Sequence, residues 1–220
     1  MYSILEHYLS TNHILMIGMI VTFILTFFLL EHPFSFLPSD QGRAFAVNGS
    51  LSKGKLRGVG FIFVLCFLIS SALFLPIDVE YVIYAILLFA MMISGYLDDA
   101  SKTPWNEYKK GLIDLVISVV AVLTYMNFNS TTIYFGAEEI VIPKALFLIL
   151  GVILIWVSVN VTNCTDGVDG LCASLCSVTL LAFGVLFAPI LQKYAMANFL
   201  FLSVLFAYLY FNSSPSSMLM

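Results

Sequence analysis

The chain has 220 residues, of which 61% are hydrophobic, 15% aromatic and only 10% charged, with a formal net charge of −4. So few charged residues cannot cover the surface of a soluble globule, and nothing in the charge balance indicates a nucleic-acid partner. Apolar runs approach the roughly 20 residues that cross a bilayer, so the composition is that of an all-α, polytopic transmembrane helical bundle, a single integral membrane domain over residues 1–220.

Seven spans are expected, at Ile14–Leu30, Val59–Leu75, Tyr81–Tyr96, Leu112–Met126, Ala145–Val161, Leu171–Leu191 and Ala195–Phe211. Glu6 and His7 precede the first without a basic leader or a small-residue cleavage site, so it reads as a retained span. Between the first two spans lies P-S-D-Q-G-R-A-F-A-V-N-G-S-L-S-K-G-K-L-R-G-V-G, a loop rich in glycine and base. Positive-inside bias alone accounts for such a loop, and backbone amides and ammonium groups offered to a diphosphate account for it equally. The third span ends in G-Y-L-D-D-A-S-K, with Asp98 and Asp99 adjacent. Adjacent helical side chains point about 100° apart, so one carboxylate can face a metal while its neighbour meets a second group or solvent. Alone, the pair is equally a helix-ending couple of acids partnered by Lys102.

The fourth span opens with Lys109, Lys110 and Asp114, and a polar hairpin from Asn127 to Lys144 leads to the fifth. The sixth is preceded by N-V-T-N-C-T-D-G-V-D-G, Asn160 to Gly170, two amides and two carboxylates with no lysine or arginine nearby. Unpaired acids at a bilayer cost several kcal/mol, so this segment is a candidate site. If Thr165 or Asp166 caps the sixth span, Asp166 and Asp169 share a helical face directed to water. Capping explains one acid but not two acids and two amides. The four cysteines, Cys66, Cys164, Cys172 and Cys176, lack zinc-site spacing and read as small apolar residues.

Seven of the nine basic residues fall in two connections: Arg43, Lys53, Lys55 and Arg57 in the first, Lys102, Lys109 and Lys110 in the third. Both connections are therefore expected to face the cytoplasm. Alternation then brings the Asn160–Gly170 segment to the same face as Asp98-Asp99 and the basic loop, and sends the Pro76–Glu80 link, the Asn127–Lys144 hairpin and the Gln192-Lys193 turn to the other. Carboxylates for a divalent cation, with cations for phosphate oxygens, form a phosphoryl-transfer apparatus.

These motifs, in this order, resemble the polyprenyl-phosphate N-acetylhexosamine-1-phosphate transferases. G-Y-L-D-D is similar to the family's aspartate pair, N-V-T-N-C-T-D-G-V-D-G to its N-x-x-N-x-T-D-G-x-D-G, and S-K-G-K-L-R-G-V-G to its first cytoplasmic loop. The resemblance runs from about Pro38 to Met220, and the threonine of T-D-G favours the muramoyl-pentapeptide branch over relatives using UDP-N-acetylglucosamine. It implies transfer of phospho-N-acetylmuramoyl-pentapeptide from UDP to undecaprenyl phosphate, with release of UMP, for peptidoglycan precursor synthesis in a bacterial cytoplasmic membrane. It also implies Mg²⁺ as cofactor. The implied partners are UDP-MurNAc-pentapeptide, undecaprenyl phosphate and membrane lipid, with no nucleic acid, and a homodimer is compatible with it.

Carried over position by position, the resemblance makes Asp98 the group acting on the acceptor phosphate, as general base or as nucleophile. Asp99 becomes its catalytic neighbour and a metal ligand, Asn163, Asp166 and Asp169 the nucleotide-sugar side, and Lys53 the diphosphate lysine. Asp114 departs from the basic or amide residue that relatives often carry there, which weighs against a lysine role in that helix. The family continues into G-D-x-G-S, whose aspartate binds metal, and into a histidine-rich loop, whereas His7, His13 and His32 are all near the N-terminus. The resemblance thus implies ten spans, of which seven are present, and a chain that does not turn over substrate alone. A UDP-N-acetylglucosamine-using relative and an ion-coupled transporter are the alternatives. The transporter puts its acids near the midplane within internal repeats, and no repeat is found here. A CDP-alcohol phosphotransferase needs an arginine and a second aspartate pair that do not follow Asp169.

Overall fold

The computed structural model describes residues 1–32, 34–40, 53–101, 103, 105–136 and 138–219. Arg43 and Lys102, two of the bases used to orient the chain, lie outside the described residues. A short α1 (Tyr2–Leu5) precedes α2 (Thr11–Glu31), α3 (Gly60–Phe74), α4 (Val79–Ala100) and α5 (Glu107–Phe128). The antiparallel hairpin of β1 (Thr132–Phe135) and β2 (Glu138–Val141) follows, then α6 (Lys144–Thr165), α7 (Leu171–Phe187) and α8 (Gln192–Asn212). Each of the seven expected spans coincides with one helix of α2 to α8. The largest displacements are five residues at the start of α5, Leu112 against Glu107, and four at the ends of α4, α6 and α7, Tyr96 against Ala100, Val161 against Thr165 and Leu191 against Phe187.

Hydropathy locates these helices because lipid leaves the backbone no alternative to internal hydrogen bonding. Five of them, α2, α4, α5, α6 and α8, are long and apolar enough to cross a membrane, and α3 and α7 are apolar but shorter, at 15 and 17 residues. At 1.5 Å per residue those two span roughly 23 to 26 Å, close to a hydrocarbon core. The fold is an all-α polytopic membrane bundle. Large apolar side chains lie outward along it, including Ile149, Leu150, Ile153 and Leu154 on α6.

The centre of the bundle is α8, which packs on α2, α3 and α7; α4 leans on α3, α5 on α4, and α6 on α5. Only sparse contact joins α6 to α7, although they are consecutive in the chain. On α2 the buried stripe is Ile14, Gly18, Thr22, Thr26 and Leu30, one face at a spacing of four. Small residues at such a seam let helices approach closely where no water drives them together. A Cβ on Gly18 would stand 3.0 Å from Cγ of Phe74 on α3 and 3.1 Å from Cδ2 of Leu200 on α8.

Among the described residues the ion pairs gather at the two ends. At one, the buried Glu80 carboxylate accepts hydrogen bonds from Tyr84 Oη (3.2 Å), Asn129 Nδ2 (2.7 Å) and Tyr194 Oη (3.0 Å), joining α4, the end of α5 and the start of α8. Beside it Lys193 pairs with Asp78, whose other carboxylate oxygen caps α4 by accepting the Tyr81 N–H at 2.8 Å. The Pro76–Glu80 link and the Gln192-Lys193 turn are therefore neighbours, together with Asn129 of the hairpin segment, as alternation requires. The other end holds the acid motifs.

Candidate active site

The site is organised by a short extended stretch of the first loop. Leu56 pairs antiparallel with Ser39 on one side and parallel with Met218 on the other. Asp40 N–H donates to the Lys55 carbonyl and Leu219 N–H to the Leu56 carbonyl, both at 2.8 Å. In an extended backbone residues i and i+2 share a face, about 7 Å apart. Lys55 and Arg57 therefore point together, away from Leu56.

Each reaches an acid from a distant motif. Arg57 Nε lies 2.8 Å from Asp99 Oδ1, and Lys55 Nζ lies 3.6 Å from Asp169 Oδ2. Two adjacent cations thus tie the D-D motif at the end of α4 to the T-D-G-V-D-G segment, and the expected convergence on one face is observed. Asp98 points elsewhere, as neighbours on a helix must: its Oδ2 meets Lys110 Nζ at 2.7 Å and its Oδ1 accepts the Trp105 N–H at 2.8 Å. Lys110 stands at the first turn of α5, and Lys109 lies 3.2 Å from the centroid of the Trp105 ring. A lysine of this helix does reach the site, against the expectation drawn from Asp114. The partner of Asp98 is Lys110, while Lys102 lies outside the described residues.

The capping expectation is corrected. Neither Thr165 nor Asp166 starts the sixth span; Asp166 closes α6 as its C-terminal cap, and α7 begins after Gly170, which adopts φ +76°. That left-handed conformation is cheap only for glycine, and it lets the chain reverse within Asp166–Gly170. Asp166 and Asp169 consequently lie in a turn and not along a helical face. The turn is pinned from α8: Asn212 accepts the Gly170 N–H through Oδ1 at 2.9 Å and donates through Nδ2 to the Met218 carbonyl at 2.9 Å. Ser216 completes the join, its N–H donating to Asp169 Oδ2 at 3.1 Å and its hydroxyl accepting from Lys55 Nζ at 2.7 Å.

Asn163 is exposed on the last turn of α6, where its carbonyl accepts the Asp166 N–H at 3.2 Å. Asn160 spends its amide on the Trp156 carbonyl, one turn back. Lys53 is exposed on the turn before Gly54. Reasoning from sequence placed the diphosphate lysine at Lys53 and left Lys55 and Arg57 undistinguished among the loop bases. The alternation of Lys55, Leu56 and Arg57, base, apolar, base, is the period-two signal that marks them. Cys66 and Cys172 are buried as small apolar residues, whereas Cys164 is exposed beside Asn163.

Burial pushes the Asp169 carboxyl upward, but the Ser216 hydrogen bonds and the Lys55 ammonium outweigh it and hold the group below its ordinary value of 3.8. A carboxylate depressed on folding contributes stability above its unfolded pKa and loses it as pH falls through the folded one. Asp169→Asn therefore costs stability by a constant amount at neutral pH, and the gap from the parent closes below about pH 3.8. Denaturant titration at a series of pH values measures this, and a gap that persists in acid contradicts it.

Among the described residues no three Asp, Glu, His or Cys side chains converge as a ligand set. Hard carboxylate oxygens still suit Mg²⁺, which is commonly held by one or two carboxylates with water and phosphate oxygens completing the octahedron.

Residues 81–220 match the model of glycosyl transferase family 4. A phospho-N-acetylmuramoyl-pentapeptide-transferase of Treponema pallidum is 32% identical over 226 residues, covering 93% of this chain and 62% of that protein. Proteins of the same name from Dictyoglomus turgidum and Microcystis aeruginosa are 25% and 29% identical, over 94% and 73% of this chain and 69% and 47% of their own lengths. The chain thus spans about 62% of the length of its Treponema relative.

Proposed function

The chain belongs to glycosyl transferase family 4, and from that premise we propose that it serves transfer of phospho-N-acetylmuramoyl-pentapeptide from UDP to undecaprenyl phosphate. The phosphorus that carries the sugar passes to an oxygen of the acceptor phosphate, directly where Asp98 is a general base, or by way of the Asp98 carboxylate, which the acceptor oxygen then displaces, where Asp98 is the nucleophile. The bond from that phosphorus to the bridging oxygen breaks, and UMP leaves. The observation that carries this reading is the double tie of Lys55 to Asp169 and Arg57 to Asp99, which puts anion-binding and metal-binding chemistry side by side. Its position supports the same reading. A site at the polar end of an apolar bundle stands where a lipid-borne phosphate and a water-soluble nucleotide meet.

In this reading Asp98 acts on the acceptor phosphate, as general base or as nucleophile, with Lys110 and the Trp105 N–H fixing its carboxylate. Asn163, Asp166 and Asp169 hold the nucleotide-sugar side, and Lys53, exposed two residues from Lys55, is open to the diphosphate. Mg²⁺ is the proposed cofactor, with Asp99 its ligand in this chain, and it would supply charge neutralisation for the phosphate oxygens. The bias of lysine and arginine to the site face supports a cytoplasmic orientation of the site, and the bacterial relatives support a bacterial cytoplasmic membrane.

Donor binding tests the proposal on the chain itself. Purified protein in nanodiscs binds UDP-MurNAc-pentapeptide with Mg²⁺ present, UDP competes, and UDP-N-acetylglucosamine is at least about tenfold weaker because it leaves the peptide contacts unmade. Equal affinity for the two donors overturns the muramoyl branch, and no binding of either overturns the nucleotide-sugar reading.

A further inference from the structure

Arg57 lies outside the stretch matched by the family model, and so does a buried acid beside it, Asp40. Asp40 closes a small turn in the first loop: its carbonyl accepts the Gly54 N–H at 2.8 Å while its own N–H donates to Lys55. Its side chain is only 4% exposed, with Oδ1 3.9 Å from Arg57 Nη1. Among the described residues no donor meets Oδ2. A carboxylate buried in that state is costly unless it serves the cation near it, Arg57.

That cation is unevenly used. A guanidinium has five N–H donors in a rigid fork. Asp99 takes the Nε–H, and Asp40 approaches Nη1 from beyond hydrogen-bonding distance. Arginine–carboxylate pairs are frequently bidentate, through two parallel N–H···O bonds. Here the contact is through Nε, and the Arg57 side chain is 34% exposed, against 14% for Asp99. Among the described residues no acceptor lies within hydrogen-bonding distance of the Nη groups, which belong to a half-buried side chain two residues along the same extended stretch from Lys55.

We propose that Arg57 is an anion-binding residue for the donor diphosphate, and that Asp40 is a positioning residue that fixes its guanidinium between Asp99 and the ligand. The inference rests on the nucleotide-sugar reading above. Two carboxylates and one guanidinium carry a net charge of −1, so the diphosphate that fits enters with a divalent counter-ion. Asp99 holds the Nε edge, Asp40 attracts the Nη1 side, and the remaining edge meets phosphate oxygens.

The probes are UDP and uridine, with MgCl₂, titrated against the purified chain in nanodiscs. Arg57→Gln weakens UDP about tenfold, the loss of one charge-assisted hydrogen bond to phosphate, and leaves uridine affinity unchanged. Arg57→Lys recovers part of the UDP loss by keeping the charge without the fork. Asp40→Asn weakens UDP about threefold, again without moving uridine. Thermal unfolding of each variant identifies the folded ones, and Arg57→Lys serves where Arg57→Gln does not fold. A purely structural role changes UDP and uridine in equal proportion, or changes melting alone, and either result overturns the proposal. Failure of the parent to bind UDP overturns the nucleotide-sugar reading with it, whereas tight UDP binding that ignores Arg57 overturns only this inference.

Discussion

Lys55→Glu weakens UDP binding by at least about 100-fold, or about 2.7 kcal/mol. Two effects add. The donor loses an ammonium partner, and a second carboxylate appears beside Asp169, where Lys55 Nζ now stands 3.6 Å from Oδ2 and 2.7 Å from the Ser216 hydroxyl. At an effective dielectric of about 20, like charges some 4 Å apart repel by about 4 kcal/mol, part of which the local structure relaxes away. The charge exchange Lys55→Glu with Asp169→Lys separates the two effects. Opposite signs again face each other, so the melting temperature returns towards that of the parent, while UDP affinity stays low because the cation has left the first loop and Asp169 no longer serves the nucleotide side. Isothermal titration and thermal unfolding of the two variants decide it: recovery of binding by the double exchange would mean that Lys55 acts only through the ion pair.

Asn212→Leu destabilises the protein by about 2 to 4 kcal/mol, because the Gly170 N–H and the Met218 carbonyl both lose their partner in a buried position. Asn212 is 3% exposed, and water has little access to replace either bond. The change corresponds to a fall of roughly 5 to 15 °C in melting temperature, read in detergent micelles. Its second consequence is local. The Asp166–Gly170 turn loses its tie to α8, so backbone amides from Gly170 to Ser174 exchange with solvent faster, while those of α2 and α3 do not. A melting temperature within about 2 °C of the parent contradicts this account.

The apolar architecture was open to reading because a bilayer imposes a one-dimensional code: runs of the right length, interrupted by polar punctuation. Every span from Ile14 to Phe211 follows it, and the bias of lysine and arginine brought the acid motifs to one end. The pairing of side chains was less accessible. Lys53, Lys55 and Arg57 are all bases in one loop, and the short base, apolar, base alternation of Lys55, Leu56 and Arg57 gains its meaning from the backbone pairing of Leu56 with Ser39 and Met218. Asp98 had Lys102 as its nearest base in sequence, yet the chain turns through Trp105 and Asn106 and presents Lys110 from the next helix. The spacing of Asp166 and Asp169 resembled a helical face because three residues make nearly one turn, whereas the left-handed backbone of Gly170 places both in a turn.

At the end far from these acids, Glu80 gathers hydroxyl and amide donors from three elements and fastens the base of α4. Eighteen residues further along the same helix stand Asp98 and Asp99, about 27 Å away at 1.5 Å per residue. A rod clamped at one end behaves as a lever. A tilt of about 5° at the clamp carries the far carboxylates through about 2 Å, the difference between an ion pair made and an ion pair broken. What grips Glu80 at the opposite end of the bundle therefore bears on the geometry of the acid end, alongside the bases that hold Asp98 and Asp99 directly.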